Sequence, residues 1–249
     1  MKAATRVVAA AAVLLWAGAV HAQTVDEAVE KVLAAMGGRA ALAKLQTRVA
    51  SGAITVSNQG MDIGGTVEVS YKAPNKSRTF MKLDLSAYGG AEMVIDQRCD
   101  GKTAFELNSQ RGEREMTGNQ LQTKLNASFP TPFLKYKEEG AKVEMVGKEK
   151  LGEKDAIVLV YTPKAGSATR YYFDAQTWLI MRSVGKFSVS ATGEEIEQTT
   201  DPSDYREVDG VKLPFTIVMS NATQSVTMRL GKIEHNKPLD DAMFGRVAK

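Results

Sequence analysis

The sequence contains one cysteine, Cys99, and two histidines in 249 residues. A lone cysteine cannot form an intrachain disulfide, so the fold must rest on a hydrophobic core, which a chain of this length can provide. His21 falls in an N-terminal segment that we expect to be removed, which leaves His235 as the one histidine for a catalytic triad. His235 lies in a polar turn before Pro238, where a solvated side chain is expected. We therefore predict no catalytic residues and no enzymatic activity.

Motifs for metals and cofactors are also missing. One histidine and one cysteine fall about two ligands short of a zinc site unless carboxylates complete it. Cys99 is expected to be a small residue at the end of a strand. The glycines form neither of the two phosphate-binding patterns, Gly-x-x-x-x-Gly-Lys-Ser/Thr and Gly-x-Gly-x-x-Gly after a strand. We predict no metal site and no cofactor.

Charge of one sign and long apolar runs are scarce. The chain has 32 basic and 29 acidic side chains, a formal net charge of +3, and no run of Lys or Arg. Binding to nucleic-acid phosphates needs a surface of one sign, so nucleic acid is excluded as a partner. The apolar run at residues 7–20 is shorter than the about 20 residues that a membrane-spanning helix needs, so no membrane span is predicted.

Residues 1–22 have the features of a cleavable signal peptide. Lys2 and Arg6 precede the apolar run, and Val20-His21-Ala22 has the alternate small residues that signal peptidase requires. A bacterial lipoprotein would carry a cysteine at the cleavage site, and this site has none. The mature chain, residues 23–249, is therefore expected to be a single domain that is free in the periplasm.

The mature chain opens with an amphipathic helix. Its apolar residues recur at the spacing of one helical face, at Val25, Ala28, Val29, Val32, Leu33 and Met36. Thr24 and Glu27 are expected to form a capping box at its start, and Gly37-Gly38 to end it. A second short helix is predicted for residues 40–45.

After Arg48 the apolar period changes to two, which is typical of half-buried antiparallel strands. Val67, Val69 and Tyr71 alternate with polar residues, and similar runs follow between turn dipeptides such as Asp100-Gly101. About eleven strands are expected, too many for a flat open sheet. We therefore predict a mainly β (α+β) fold, an incomplete and strongly curved antiparallel β-barrel. The N-terminal helix and a short inserted helix should lie on its concave side.

The inserted helix is predicted between Thr117 and Phe129, behind a capping pair formed by Thr117 and Gln120. Pro130 should end it, because proline cannot continue a helix. The apolar stripe of this helix consists of Leu121, Leu125 and Phe129. Two roles remain open: a lid that competes with an apolar ligand for the same surface, or a permanently docked helix that completes the core.

Some strands are apolar at successive positions, so both faces of part of the sheet need cover. One face can take the N-terminal helix, and the other must meet a second layer, a lid or a ligand. Methionines at strand positions suit a surface that accepts varied apolar partners, although they also fill irregular cores. The candidate residues lining an apolar ligand cavity are Val67, Val69, Met81, Leu83, Met93, Ile95 and Phe105.

Five short motifs follow one another along nearly the whole mature chain. They are Tyr71-Lys72-Ala73-Pro74-Asn75-Lys76, Asp100-Gly101-Lys102-Thr103-Ala104-Phe105, Thr131-Pro132-Phe133-Leu134, the segment from Tyr172-Phe173-Asp174 through Arg182, and the segment at residues 204–215. In their order and spacing these motifs resemble the LolA/LolB superfamily of envelope lipoprotein carriers, in particular its LolA-like branch of outer-membrane lipoprotein-sorting proteins.

The resemblance implies an incomplete antiparallel barrel of about eleven strands with helices on its concave apolar side. It also implies a non-catalytic activity, in which the acyl chains of a lipoprotein occupy the cavity during transit through the periplasm. Dedicated carriers often have a basic residue directly before the motif proline, and this chain has Ala73 there. The departure bears on lipoprotein transfer and leaves lipid or peptide binding open.

The predicted function is therefore a periplasmic carrier or chaperone that shields acyl chains in outer-membrane lipoprotein sorting. Its expected partners are lipoprotein acyl chains or another lipid, and an envelope membrane protein. The alternative is an envelope stress sensor or interaction module of the same fold that binds lipoproteins or peptides.

Overall fold

The computed structural model describes residues 24–188 and 195–246. The predicted signal peptide, residues 1–22, lies outside these ranges. Within them the chain forms one antiparallel sheet of 13 strands. The strands are β1 (Thr47–Asn58), β2 (Met61–Lys72), β3 (Lys76–Leu83), β4 (Met93–Cys99), β5 (Ala104–Asn108), β6 (Gly112–Met116), β7 (Lys142–Leu151), β8 (Lys154–Thr162), β9 (Thr169–Asp174), β10 (Ile180–Ser188), β11 (Glu195–Val208), β12 (Val211–Ser220) and β13 (Gln224–His235).

The order of the strands across the sheet is β6-β5-β4-β3-β2-β1-β13-β12-β11-β10-β9-β8-β7. Neighbours in sequence are therefore neighbours in the sheet, except at β1, which pairs with β13, and at β6 and β7, which form the two edges. Because the edges are not hydrogen-bonded to each other, the barrel is incomplete, and the predicted fold class is confirmed. Short edge strands such as β6 escape sequence analysis, since Glu113-Arg114-Glu115 shows no apolar alternation.

The helices are α1 (Val25–Ala35), α2 (Arg39–Ala43) and α3 (Gly118–Leu125), with short 3-10 helices at Ser86–Tyr88 and Asp241–Phe244. The capping box of α1 is confirmed: the Thr24 hydroxyl accepts from the Glu27 N–H, and the Glu27 carboxylate accepts from the Thr24 N–H. In the described ranges, every helix is too short or too polar to cross a lipid bilayer.

Cross-strand pairing puts the apolar residues of the strands on one face, which we call the concave face. Ala50 on β1 lies opposite Val69 on β2 and Ile233 on β13, and the alternation continues along these strands. The buried face of α1 packs here, where Val29 and Leu33 join the main core with Phe133, Phe173 and other buried side chains. Since α3 contacts both the β4–β6 end of the sheet and β10, the sheet curls around its helices.

The expectation that part of the sheet is covered on both faces is confirmed on β8. Ile157 and Leu159 point to the concave face, and Ala156 and Val158 point the other way, yet all four are nearly or fully inaccessible to solvent. At the centre of the concave core, the ring of Phe133 meets the ring of Tyr171 edge-on at a centroid distance of 5.1 Å. Aromatic pairs of this geometry add stability beyond the area they bury.

Gly37 ends α1 against the turn between β11 and β12. Its φ of +120° lies in the region that favours glycine, and a Cβ at this position would overlap the carbonyl oxygen of Gly210. The Lys212 N–H donates to the Met36 carbonyl at 3.0 Å beside this contact. The close approach of the two backbones fixes α1 on the sheet.

We predict that Gly37→Ala lowers the free energy of unfolding by more than about 3 kcal/mol, since the overlap adds to the about 1–3 kcal/mol of backbone strain. Gly38→Ala is the matched control, because Gly38 also has a positive φ (+92°) but no atom within 4 Å of a Cβ. Urea unfolding of both variants measures the difference. Equal losses would show that the contact with Gly210 does not hold α1.

Candidate ligand-binding site

A second group of apolar side chains lies on the concave face beyond the main core, and we call it the concave cluster. Its members are the buried Ile54, Val67, Val69 and Leu83 and the partly buried Val56, Ile63, Tyr71, Met81, Met93, Ile95, Val226 and Met228. The cluster contains every predicted cavity residue except Phe105. Cross-strand pairs align them, with Met81 opposite both Val67 and Ile95. Their role in ligand binding stays a prediction.

Phe105 lies on the opposite, outer face of the sheet, so the structure does not place it in the cavity. The concave positions of β5 belong to its neighbours Ala104 and Glu106, because side chains alternate along a strand. The guanidinium of Arg246 lies 5.7 Å from the centre of the Phe105 ring. Phe105 thus helps to hold the C-terminal segment, whose Phe244 is fully buried.

The inserted helix α3 covers the β4–β6 end of the concave face. Leu121 and Leu125 pack against Cys99, Ala104 and Met116, which are buried, and not over the concave cluster. Cys99 is therefore a buried residue at the end of β4, as predicted. Two of the three lid candidates, Leu121 and Leu125, thus rest on a different part of the sheet, whereas Phe129 stacks on Tyr71 of the concave cluster.

Polar contacts also tie α3 to the strands beneath it. Lys124 donates to the side-chain oxygen of Gln97 at 2.9 Å, and Gln97 donates to Glu106 at 2.7 Å. Arg114 joins Glu106 to Gln120 of the helix, at 3.0 and 2.7 Å. Burial lowers the pKa of Lys124. The helix is thus held by an internal network as well as by its leucines.

The predicted capping pair of α3 is wrong. Thr117 makes no side-chain cap hydrogen bond, and Gln120 accepts from Arg114 instead of bonding to the helix start. The helix also ends at Leu125, four residues before Phe129. Arg114 on β6, six residues before the glutamine, donates to its side-chain oxygen.

Phe129 stacks on Tyr71 beside a charged residue that the sequence analysis passed over. The two rings lie 5.9 Å apart at 10° to each other. The guanidinium carbon of Arg48 lies 4.9 Å from the centre of the Tyr71 ring and 5.3 Å from that of Phe129. Arg48 shares the concave face with Ala50 and Ile54. The signal available in the sequence was therefore a charged residue at a position of β1 whose alternate neighbours are apolar.

Two cavities meet at Arg48 and Tyr71. The smaller has a volume of about 100 Å³, and its other lining residues are apolar: Ala50, Val69, Leu213, Pro214, Ile217, Met228, Leu230 and Ile233. The larger, of about 310 Å³, is lined on its far side by α3 and the segment after it, including Thr123, Asn126 and Phe129. Val69 and Met228 also belong to the concave cluster, so the smaller cavity is continuous with it.

His235 is buried and not solvated, which corrects the sequence-based expectation. Its Nδ1 lies 3.0 Å from a carboxylate oxygen of Asp209, and its Nε2 is buried with no hydrogen-bond partner among the described residues. Burial lowers the pKa of His235, and the positive charge of Arg48 lowers it further, against the opposing effect of the Asp209 hydrogen bond. His235 faces Arg48 across the strands, and only the sheet register reveals this.

Antiparallel barrels can enclose a ligand in their interior. No family model matches the sequence, and no curated protein matches it either. Solved structures do match. A DUF1329 family protein from Desulfovibrio piger has a TM-score of 0.58 at 11% sequence identity, over 90% of this chain and 98% of that one.

Two further matches are described as a LolA superfamily protein and as an outer membrane lipoprotein-sorting protein domain. A LolA superfamily protein from Nitrosomonas europaea has a TM-score of 0.56 at 13% identity, over 88% of this chain and 97% of that one. An outer membrane lipoprotein-sorting protein domain from Vibrio parahaemolyticus has a TM-score of 0.56 at 12% identity, over 88% and 94%. The chain therefore has the LolA-like fold, and the predicted resemblance is confirmed at the level of fold.

We predict that the stability of the protein falls as the pH drops below about 6.5, in part through His235. The folded pKa lies below the unfolded value of 6.5, so in that window the unfolded chain binds more protons and is favoured. His235→Asn keeps a donor for Asp209 and removes the titration. Urea unfolding from about pH 7.5 to about pH 5 should show a shallower loss of stability for this variant; equal slopes would contradict the assignment.

We predict that Leu125→Ala lowers the free energy of unfolding by about 2 kcal/mol, the low end for a leucine, because the side chain is partly buried. Fatty-acid affinity should not rise, since α3 does not cover the concave cluster. Asn119→Ala is the control, because Asn119 is exposed on the same helix and is not a lining residue of either cavity. A gain in affinity with little loss of stability would identify α3 as a lid, and both quantities are measured on each variant.

Proposed function

We propose that the protein is a periplasmic carrier or chaperone that holds the acyl chains of a lipid or lipoprotein on the concave cluster. One observation carries this proposal: Met81, Met93 and Ile95 face the inside of the curved sheet and yet remain partly accessible. A closed core would bury such residues completely. Contiguous apolar surface that stays accessible in a concave position is typical of ligand-binding grooves.

The chemistry of the cluster suits an acyl chain. Each methylene removed from water contributes about 0.8 kcal/mol, so a partly enclosed chain gains enough to be held without specific polar recognition. Methionine side chains at Met81, Met93 and Met228 are flexible and polarizable, and they adapt to chains of different length.

The finer role that we propose is outer-membrane lipoprotein sorting. The LolA-like fold supports it, as does the likeness to a structure described as a lipoprotein-sorting domain. Residues 1–22, as a signal peptide, would direct the domain of residues 23–249 to the periplasm. We propose no catalytic step for this protein.

Native mass spectrometry of the protein purified from its own cell envelope tests the proposal. We expect adducts with the mass of a lipid or a lipoprotein, and uptake of a fluorescent fatty acid by the delipidated protein. Absence of both adduct and uptake would refute the carrier function.

We predict that Met81→Gln weakens the binding of a fluorescent fatty acid about tenfold, because burial of a methionine contributes about 1.5–3 kcal/mol. Lys82→Gln is the matched control. Lys82 is adjacent in sequence, exposed and on the outer face, so its replacement should leave the affinity unchanged. Fluorescence titration compares the two, and equal effects would place the fatty acid elsewhere.

A further inference from the structure

Arg48 stands out among the partly buried arginines of the described residues because it lacks an acidic partner. The other partly buried arginines each form an ion pair with a carboxylate: Arg78, Arg98, Arg114, Arg170 and Arg182. Around Arg48 the structure places the rings of Tyr71 and Phe129, and the buried His235 across the strands. Burial lowers the pKa of Arg48. Its charge is therefore poorly solvated and has no carboxylate partner among the described residues, although the two rings interact with it.

An uncompensated charge inside a protein is costly, and an anion that forms paired hydrogen bonds to it lowers the cost. The cavity of about 310 Å³ that exposes Arg48 is suited to an anion. Its described lining residues include a second cation, Lys186, and several hydroxyl and amide groups, but no carboxylate. The charged side chains among these described lining residues are therefore both cations, and the nearby carboxylate of Glu195 accepts a hydrogen bond from the lining Ser167 hydroxyl at 3.0 Å.

Arg48 also lies at the inner end of the apolar surface. It lines the smaller cavity as well, and that cavity continues through Val69 and Met228 into the concave cluster. Along β1 the distance from Arg48 to Ile54 is roughly 20 Å, at about 3.3 Å per residue. One acyl chain spans about half of the roughly 30 Å hydrocarbon core of a bilayer, so it fits within this length.

We propose that the ligand is a fatty acid whose carboxylate pairs with Arg48 and whose chain lies on the concave cluster. The inference rests on the proposed function, since it uses the same apolar surface, and it adds the acidic headgroup. A carboxylate balances the single charge of Arg48. Lys186 is exposed and solvated, so it does not require the second negative charge that a phosphate monoester would bring.

The test compares palmitate with its neutral methyl ester on the full protein by calorimetric titration. Arg48→Gln should weaken palmitate binding at least about tenfold, the effect of losing a charge-assisted pair of about 1.5 kcal/mol or more. Binding of the methyl ester should change less than about twofold, because its head carries no charge. Arg229→Gln is the matched control: it removes an equal charge from an exposed position on the outer face.

Arg48→Lys is a second variant that controls for a folding defect, because it keeps the positive charge and loses only the planar guanidinium group with its paired donors. We expect it to lose palmitate affinity to an intermediate extent. Palmitate should also raise the Tm of the wild type more than that of Arg48→Gln. Equal loss for palmitate and methyl ester would overturn the inference and leave the carrier function standing. Binding of neither by the wild type would overturn both. If lysophosphatidate binds more tightly than palmitate, and if Arg48→Gln weakens that binding, the headgroup that pairs with Arg48 is a phosphate and the proposal of a carboxylate is wrong.

Discussion

Most of the buried apolar side chains of the described sheet lie on its concave face, and that face has to be shielded from water. A flat antiparallel sheet of this width would leave it open, because the chain has too few helices to cover it. The sheet curls so that its β4–β6 end approaches β10 around α3. The rest of the concave face is covered by α1, whose Leu33 belongs to the same core as Phe133. The need to shield this face explains the positions of the helices, of the loop from Phe129 to Leu134 and of the two cavities.

The side chains of the concave face are shielded from solvent to different extents along the sheet. Near β8 and β9 the side chains of Phe133 and Phe173 are fully buried, whereas Met81, Met93 and Ile95 stay partly accessible. Between these regions lies a polar site that is out of keeping with an ordinary core. Arg48 sits there without an acidic partner among the described residues, and burial lowers the pKa of His235. A protein selected for stability alone gains little from a charge in this place, whereas a binding site uses it.

Much of the fold could be predicted from the sequence, because those parts depend on local patterns. The capping box of Thr24 and Glu27 and the apolar face of α1 need only residues a few positions apart. Alternation along β2 and β3 placed Val67, Val69, Met81 and Leu83 on one face, since the period of a strand is fixed. The same rule identifies Phe105 as an outer residue once the register of β5 is known, and that register depends on its partner β4.

The sequence by itself determined the secondary-structure elements of this protein: a capped helix, strands with alternating apolar residues and an inserted helix. It also determined that groups suited to catalysis are scarce. Each is encoded within a few neighbouring residues. Tertiary structure alone decided what meets across the sheet. It brought Arg48, Tyr71 and His235 side by side from three strands, moved the α3 leucines onto Cys99 and Met116, and buried a histidine that its neighbours in sequence would have left in water. Such contacts depend on strand register and on the curl of the whole sheet, which long-range pairing sets and no local pattern contains.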